Sequence, residues 1–288
     1  TKYTGKGISI AFIDTGICKN NDFDSRIKCF YDVVNHKNYV YDDCGHGTHV
    51  AGICSGSGAN SNGKYRGIAP ESNIVMIKAL DFEGKGTASD VLTGIQWIAD
   101  NCKKYNIRIL NMSIGAGITN TKDPLVRAAE ILWDMGIVVV AAAGNNGPQK
   151  GTISSPGISK KIITVGSADD INVSENDIGK SYSGRGPTKE CVIKPDVVAP
   201  GTNIISCLCE DNKSNNYYKS LSGTSMSTPI VSGAIALLLE KAPDLKPDDI
   251  KFMLKQSCHN LECSPNRQGW GLLDIENLLN REVVYVRK

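Results

Sequence analysis

The sequence predicts an α/β fold, a three-layer, doubly wound and mostly parallel sheet with helices on both faces. Two observations carry this expectation. The strand-like segments are continuous apolar runs rather than alternating ones, such as Ile-Val-Val-Val-Ala-Ala over 137–142, as expected of strands buried on both faces. Between them lie segments of helical periodicity, so strand and helix alternate along the chain.

The elements follow in order. Residues 8–13, Ile-Ser-Ile-Ala-Phe-Ile, read as a buried strand that Asp14-Thr15-Gly16 ends. Residues 45–58 begin Gly-His-Gly-Thr-His-Val-Ala-Gly and read as a helix entered through glycine. A second strand spans 73–80. In 88–105, Val91, Ile95, Ile98 and Cys102 recur on one helical face. Residues 107–112 form a third strand. Asp123-Pro124 opens a helix, with proline in the first turn where its missing N–H is harmless, and Gly136 closes it. The fourth strand, 137–142, runs into Gly144-Asn145-Asn146-Gly147, and 162–165 is a fifth. An extended segment over 195–206 is broken by Pro200-Gly201. Helices are expected at 225–241 and 247–256. Val283-Val284-Tyr285-Val286 has strand character and precedes a basic end. With no internal repeat, low-complexity tract or linker, residues 1–288 read as a single domain.

Bulk properties exclude several function classes. The net charge of +2 gives no electrostatic case for nucleic acid or an anionic membrane surface. No apolar run is long enough to span a bilayer. Ten cysteines include no pair of CxxC units, which argues against a zinc site, and a chain of this length needs no disulfide scaffold. The thiols are expected to be mostly reduced.

In doubly wound sheets, ligands bind beyond the carboxyl ends of the strands. Asp14 ends one strand and Asn145 lies just past another, while His46 and Ser225 open helices. All four fall on one rim. Ser225 sits at a helix N-terminus, where free N–H groups and the dipole favour developing negative charge. A serine hydroxyl is a weak nucleophile until a base takes its proton, an imidazole suits that task near neutral pH, and a carboxylate orients the imidazole. Asn145 and the Ser225 N–H are candidate oxyanion donors. Each residue also has a plainer reading: Asp14 and Asn145 as turn residues, Ser225 as a helix cap, His46 and His49 as metal ligands on one helix face. A metalloprotease lacks its HExxH here, and a Gly-x-Ser-x-Gly elbow is absent around Ser225.

The motifs Ala11-Phe12-Ile13-Asp14-Thr15-Gly16, Gly45-His46-Gly47-Thr48-His49-Val50-Ala51-Gly52, Ala142-Ala143-Gly144-Asn145 and Gly223-Thr224-Ser225-Met226-Ser227-Thr228-Pro229, in that order, resemble those of the subtilisin family of serine proteases. The resemblance runs from about Gly7 to about Ile275. It implies a subtilisin-like fold and a serine endopeptidase working through an acyl-enzyme. Asp14 would be the orienting carboxylate, His46 the general acid/base, Ser225 the nucleophile and Asn145 the oxyanion donor. It further implies that Ser113, Ile114 and Gly115 pair with substrate backbone and form one wall of the S1 pocket. Ala142, Ala143 and Gly144 would form the other wall, and Ser154 lies near the floor. Gly84, Lys85 and Gly86 would form the edge strand on the far side of the substrate, with Ala88 leaving a roomy S4 subsite. The absence of charge among the S1 residues implies medium to large apolar or uncharged P1 side chains.

The same resemblance implies polypeptide substrates, an N-terminal propeptide inhibitor, and no cofactor for the chemistry. Subtilisins often hold a structural calcium near the region matching 57–66. Asp22 matches one acidic ligand, but the loop carries Lys64 and Arg66 and no acidic residue, so calcium is disfavoured. Cys44, two residues before His46, is expected at the cleft rim. The thiols and the altered calcium loop point to a cytoplasmic setting, with secretion as the alternative.

Overall fold

A computed structural model of the chain describes residues 2–117, 120–169, 181–209 and 216–286. Its centre is a seven-stranded sheet, all parallel, made of β1 (Ser9–Asp14), β2 (Ile27–Asp32), β3 (Asn73–Lys78), β4 (Ile107–Met112), β5 (Val138–Ala142), β6 (Ile163–Ser167) and β7 (Val197–Ala199). The strand order is β2-β3-β1-β4-β5-β6-β7. After β1 the chain crosses to the edge as β2 and returns as β3 on one side, and after β4 it builds outward on the other. The carboxyl ends of β1 and β4 therefore flank the switch point where such sheets place their sites.

Two pairs of helices cover the sheet. Helices α1 (His46–Ser55) and α4 (Thr224–Lys241) pack on each other, α1 over β1 and α4 over β4 to β7. Helices α2 (Ala88–Asn101) and α3 (Pro124–Asp134) form the other pair, packed on β1 and β5. Phe12, Ile10, Ile13, Ile74, Ile77 and Ile109 are fully buried between these layers. Truncating one such side chain to Ala costs about 2–5 kcal/mol. Local signals set the helix starts. Thr87 and Asp90 form a reciprocal capping box, and the Asp123 carboxylate accepts from the Leu125 N–H. Three short helices follow on the sheet's periphery: α5 (Pro247–Ser257), α6 (Pro265–Gln268) and α7 (Ile275–Asn280).

Several expectations are corrected. The edge strand β2 is missed by periodicity, because its Ile-Lys-Cys-Phe-Tyr-Asp is only half-buried. The segment 195–206 splits into β7 and β8 (Ile204–Cys207), and β8 pairs antiparallel with β9 (Tyr218–Leu221) in a separate hairpin. Val283–Val286 forms no strand; instead the Val286 N–H donates to the Asp249 carboxylate at 2.6 Å. The basic end beyond it lies outside the described residues. Cys18 and Cys209 form a disulfide, so the thiols are not all reduced, while the other eight cysteines are free. Among the described residues, no helix is long and apolar enough to cross a membrane.

Candidate active site

Asp14 ends β1 fully buried, and its Oδ1 accepts from the Thr15 N–H and from His46 Nδ1, both at 2.7 Å. This pairing leaves His46 Nε2 free to face the cleft. His46 is the first residue of α1, and about a quarter of its side chain (27%) is exposed. The close approach of α1 to the strand end depends on Gly47. A Cβ there would stand 2.2 Å from the Gly16 carbonyl oxygen and 3.1 Å from Asp14 Oδ1.

The α1 N-terminus is organised by a residue the sequence reading did not single out. Buried Asp42 accepts from the Gly45 and Thr48 N–H groups at 2.8 Å each, from Thr15 Oγ1 at 2.8 Å and from Thr48 Oγ1 at 2.7 Å. The Cys18–Cys209 disulfide lies against the Asp42 carbonyl. Lys78, also fully buried, donates to the Thr15 and Leu80 carbonyls at 2.7 and 2.9 Å and to the Asp43 carboxylate at 2.6 Å. The loops on both sides of Asp14 are thus pinned. Burial works to lower the His46 pKa, but the facing Asp14 carboxylate, its hydrogen bond and the Asp42 charge outweigh it, and the pKa is raised from its ordinary value.

Ser225 is the second residue of α4. Its carbonyl would normally accept from residue 229, but Pro229 has no N–H. The Ser113 hydroxyl takes that place, donating to the Ser225 carbonyl at 2.9 Å. Asn111 Nδ2 holds the Ser113 hydroxyl at 3.0 Å, and Ser232, two turns further along α4, holds Asn111 Oδ1 at 2.8 Å. The Ser225 hydroxyl donates to the Ser113 carbonyl at 2.9 Å. Asn145 Oδ1 accepts from the Thr224 N–H and hydroxyl at 3.0 Å each. Its Nδ2 therefore points towards Gly223, where a Cβ would approach to 3.2 Å.

His46 and Ser225 line one cleft of about 560 Å³, together with Cys44, Gly84, Lys85, Gly86, Ser113, Ile114 and Gly115. Ala142, Ala143, Gly144 and Ser154 are not among its lining residues; both alanines and Ser154 are buried behind it. Ser154 lies between the two expected walls. Its Cβ would be 3.0 Å from a Cβ on Gly115, and its Oγ 2.1 Å from one on Gly144. Gly84–Gly86 lines the cleft and follows a turn in which the Asp81 carboxylate accepts from the Glu83 and Lys85 N–H groups at 2.9 Å.

The side chains named as metal ligands have protein partners. His49 is buried, with Nε2 on the Lys219 carbonyl at 3.0 Å, and burial pushes its pKa down to about 4. Asp22, matched to a calcium ligand, has both carboxylate oxygens engaged, Oδ1 by the Asn60 N–H at 3.0 Å and Oδ2 by the Tyr218 hydroxyl at 2.6 Å. The neighbouring carbonyls of Asp22, Ser55 and Ser72 all accept from the Arg26 guanidinium, at 2.5 Å for Ser55 and 3.2 Å for Ser72. Among the described residues no three His, Cys, Asp or Glu side chains group as metal ligands.

A sequence model described as the Subtilase family matches residues 5–271. The chain is 45% identical over 297 positions to the serine protease AprX of Bacillus subtilis (strain 168), covering 95% of this chain and 66% of that protein. It is 35% identical over 276 positions to subtilisin DY of Bacillus licheniformis, covering 95% and 91%. It thus spans slightly under two thirds of AprX and most of subtilisin DY. Among solved structures, a cold adapted subtilisin-like serine proteinase superposes with a TM-score of 0.75 at 32% identity, covering 95% of this chain and 89% of that one. Sphericase superposes with a TM-score of 0.79 at 28% identity, covering 94% and 92%.

Proposed function

This chain belongs to the subtilase family and is a serine endopeptidase, and on that premise we propose that Asp14, His46, Ser225 and Asn145 are its catalytic residues in one peptidase domain. The observation that carries the assignment is the 2.7 Å Asp14–His46 pair opening onto the same cleft as Ser225. In this reading the Ser225 hydroxyl turns from the Ser113 carbonyl to His46 Nε2, gives up its proton and attacks the substrate carbonyl carbon. The C=O π electrons move to oxygen, and the oxyanion is held by Asn145 Nδ2 and the Ser225 N–H. His46 then returns the proton to the departing amine as the C–N bond breaks. Water, deprotonated by the same imidazole, releases the acyl group. Intact-mass labelling with a fluorophosphonate tests this directly. One adduct on Ser225, lost together with casein hydrolysis in Ser225→Ala, is expected; labelling elsewhere, or casein hydrolysis surviving in the variant, overturns it.

Asn145→Ala is expected to lower kcat by on the order of 10²–10³-fold, about 3–4 kcal/mol, with KM little changed, the scale known from subtilisin. The donor acts on charge that exists only in the transition state. Initial rates on a chromogenic peptide check this, and an equal rise in KM would argue for a ground-state role instead.

At S1, the absence of a charged side chain among Ser113–Gly115, Ala142–Gly144 and Ser154 supports apolar or uncharged P1 side chains of medium to large size. A propeptide that docks in the same cleft is part of this reading. Eight free thiols support a reducing compartment and the Cys18–Cys209 bond an oxidising one; alkylation followed by intact mass, on protein from its native source, decides between them.

We also propose that the fold needs no calcium at Asp22, because the Arg26 guanidinium already bridges the carbonyls there. Millimolar EDTA is then expected to leave Tm unchanged, since a ligand that does not bind the native state cannot stabilise it. Arg26→Met should lower stability by about 2 kcal/mol, through carbonyls left without a donor. A fall in Tm with EDTA would overturn this.

A further inference from the structure

We propose that Lys219 selects acidic residues on the leaving-group side of the scissile bond, an inference that rests on the assignment of Ser225 and His46 above. Lys219 lies in β9, paired with Ser206 of β8. Its carbonyl is fixed by His49 Nε2 at 3.0 Å, and the Ser206 hydroxyl donates to the His49 carbonyl at 2.8 Å. The hairpin is therefore clamped across α1 from two sides. The Lys219 side chain runs towards the α1 N-terminus. A Cβ on Gly45 would stand 3.6 Å from its Nζ, which places the ammonium beside the residue preceding His46.

The two sides of the nucleophile differ in kind. The cleft of about 560 Å³, with Gly84–Gly86 and Ser113–Gly115, holds the acyl side of the substrate, and Lys219 is not among its lining residues. From β9, alternation puts Leu221 on the same strand face as Lys219, and the chain then passes through Ser222 and Gly223 into Ser225. In this proposal a polypeptide continuing past the scissile bond, away from the acyl cleft, passes along this face.

Charge bookkeeping makes the side chain available. Among the described residues Lys219 has no salt bridge, whereas the acidic groups near the α1 entry are committed: Asp42 to N–H and hydroxyl donors, Asp43 to Lys78. On the acyl side, Lys85 is paired with Glu83 at 2.8 Å. The Lys219 charge also reaches the imidazole, where it works against the rise imposed by Asp14. A carboxylate on the departing segment meets a partly desolvated cation that has no salt bridge among the described residues. A lysine there meets repulsion.

The test uses internally quenched peptides carrying Glu, Gln or Lys at each of the first three residues beyond the scissile bond, with kcat/KM measured for the whole chain. At low salt the native enzyme is expected to prefer Glu to Lys about 3-fold or more at one of these positions, with the ratio shrinking towards one in high salt. Lys219→Gln should level the ratio and Lys219→Glu invert it. Ratios are read within each enzyme, so a variant's change in absolute rate does not enter. A ratio near one at all three positions, or one that Lys219→Glu leaves unchanged, overturns the proposal. Failure of the native enzyme to cleave the Gln peptides would instead bring down the catalytic assignment, and this inference with it.

Discussion

Ser225→Ala is expected to lower kcat by on the order of 10⁶-fold, the scale set by subtilisin, with His46→Ala as severe and the double variant no worse. The equality follows from the chemistry. A hydroxyl without a base is nearly unreactive, and a base without a hydroxyl has only water to activate, so either loss removes the same step. The fold should hardly notice Ser225→Ala, because the hydroxyl's single intramolecular bond goes to the Ser113 carbonyl. The α4 N-terminus stays anchored by Ser113 Oγ on the Ser225 carbonyl. Tm within a degree or two of native, KM within a few-fold and kcat near the uncatalysed background are the expected readings. If the double variant were far slower than either single one, the two residues would be acting in separate steps and the coupled assignment would fail.

How much of this was legible in the sequence follows from what each residue's signal depends on. The central strands β1, β3, β4 and β5 are apolar on both faces, so their runs are visible without knowing the fold. Strand β2 is half-buried, and its Lys28 and Asp32 interrupt the run. Strand β9, Tyr-Lys-Ser-Leu, exists only because β8 lies beside it, and no local pattern announces that pairing. The apolar stripe predicts a helix over 88–105 because Cys102 continues it, whereas the regular turns end at Asn101.

The site divides the same way. Asp14, His46, Asn145 and Ser225 stand out because each sits in a short motif of small residues at an element's end. Their supports do not. Asp42 is four residues from His46, yet its role appears only when its carboxylate is seen gathering Thr15, Gly45 and Thr48. The line from Ser232 through Asn111 and Ser113 to Ser225 joins α4 to the end of β4, over 100 residues apart in sequence. Pro229 was a readable hint, since a proline inside a helical pattern frees a carbonyl that some donor must satisfy. The Gly84–Gly86 segment carries a weaker local signal. Its backbone is held by the Asp81 carboxylate, which accepts from the Glu83 and Lys85 N–H groups, a contact no apolar pattern announces.

Asp14→Asn is expected to lower kcat by on the order of 10⁴-fold while leaving the nucleophile and oxyanion donors in place. One oxygen, Oδ1, serves both the Thr15 N–H and His46 Nδ1, and Oδ2 is buried with no partner among the described residues. An asparagine that keeps its oxygen on the Oδ1 position buries an unpaired NH₂. One that turns the other way presents a donor to Nδ1 and forces the proton onto Nε2, where a base is needed. In either orientation the imidazolium formed in the transition state loses its counter-charge. The pH profile separates this from a simple loss of structure. Native His46 has its pKa raised because Asp14 and Asp42 outweigh burial, so the reactive neutral imidazole fills only above the ordinary value near 6.5. Removing the Asp14 charge leaves burial and Lys219 opposed mainly by Asp42, and the acid limb of kcat/KM should move to lower pH even as the plateau collapses. The stability sign runs with it. A raised histidine pKa stabilises the fold below pH 6.5, and that contribution fades as pH rises through the folded value. The native chain should therefore gain on the variant in Tm between pH 8 and pH 6. An acid limb that stays put in Asp14→Asn would mean that another group sets it, and the orienting role of Asp14 would have to be given up.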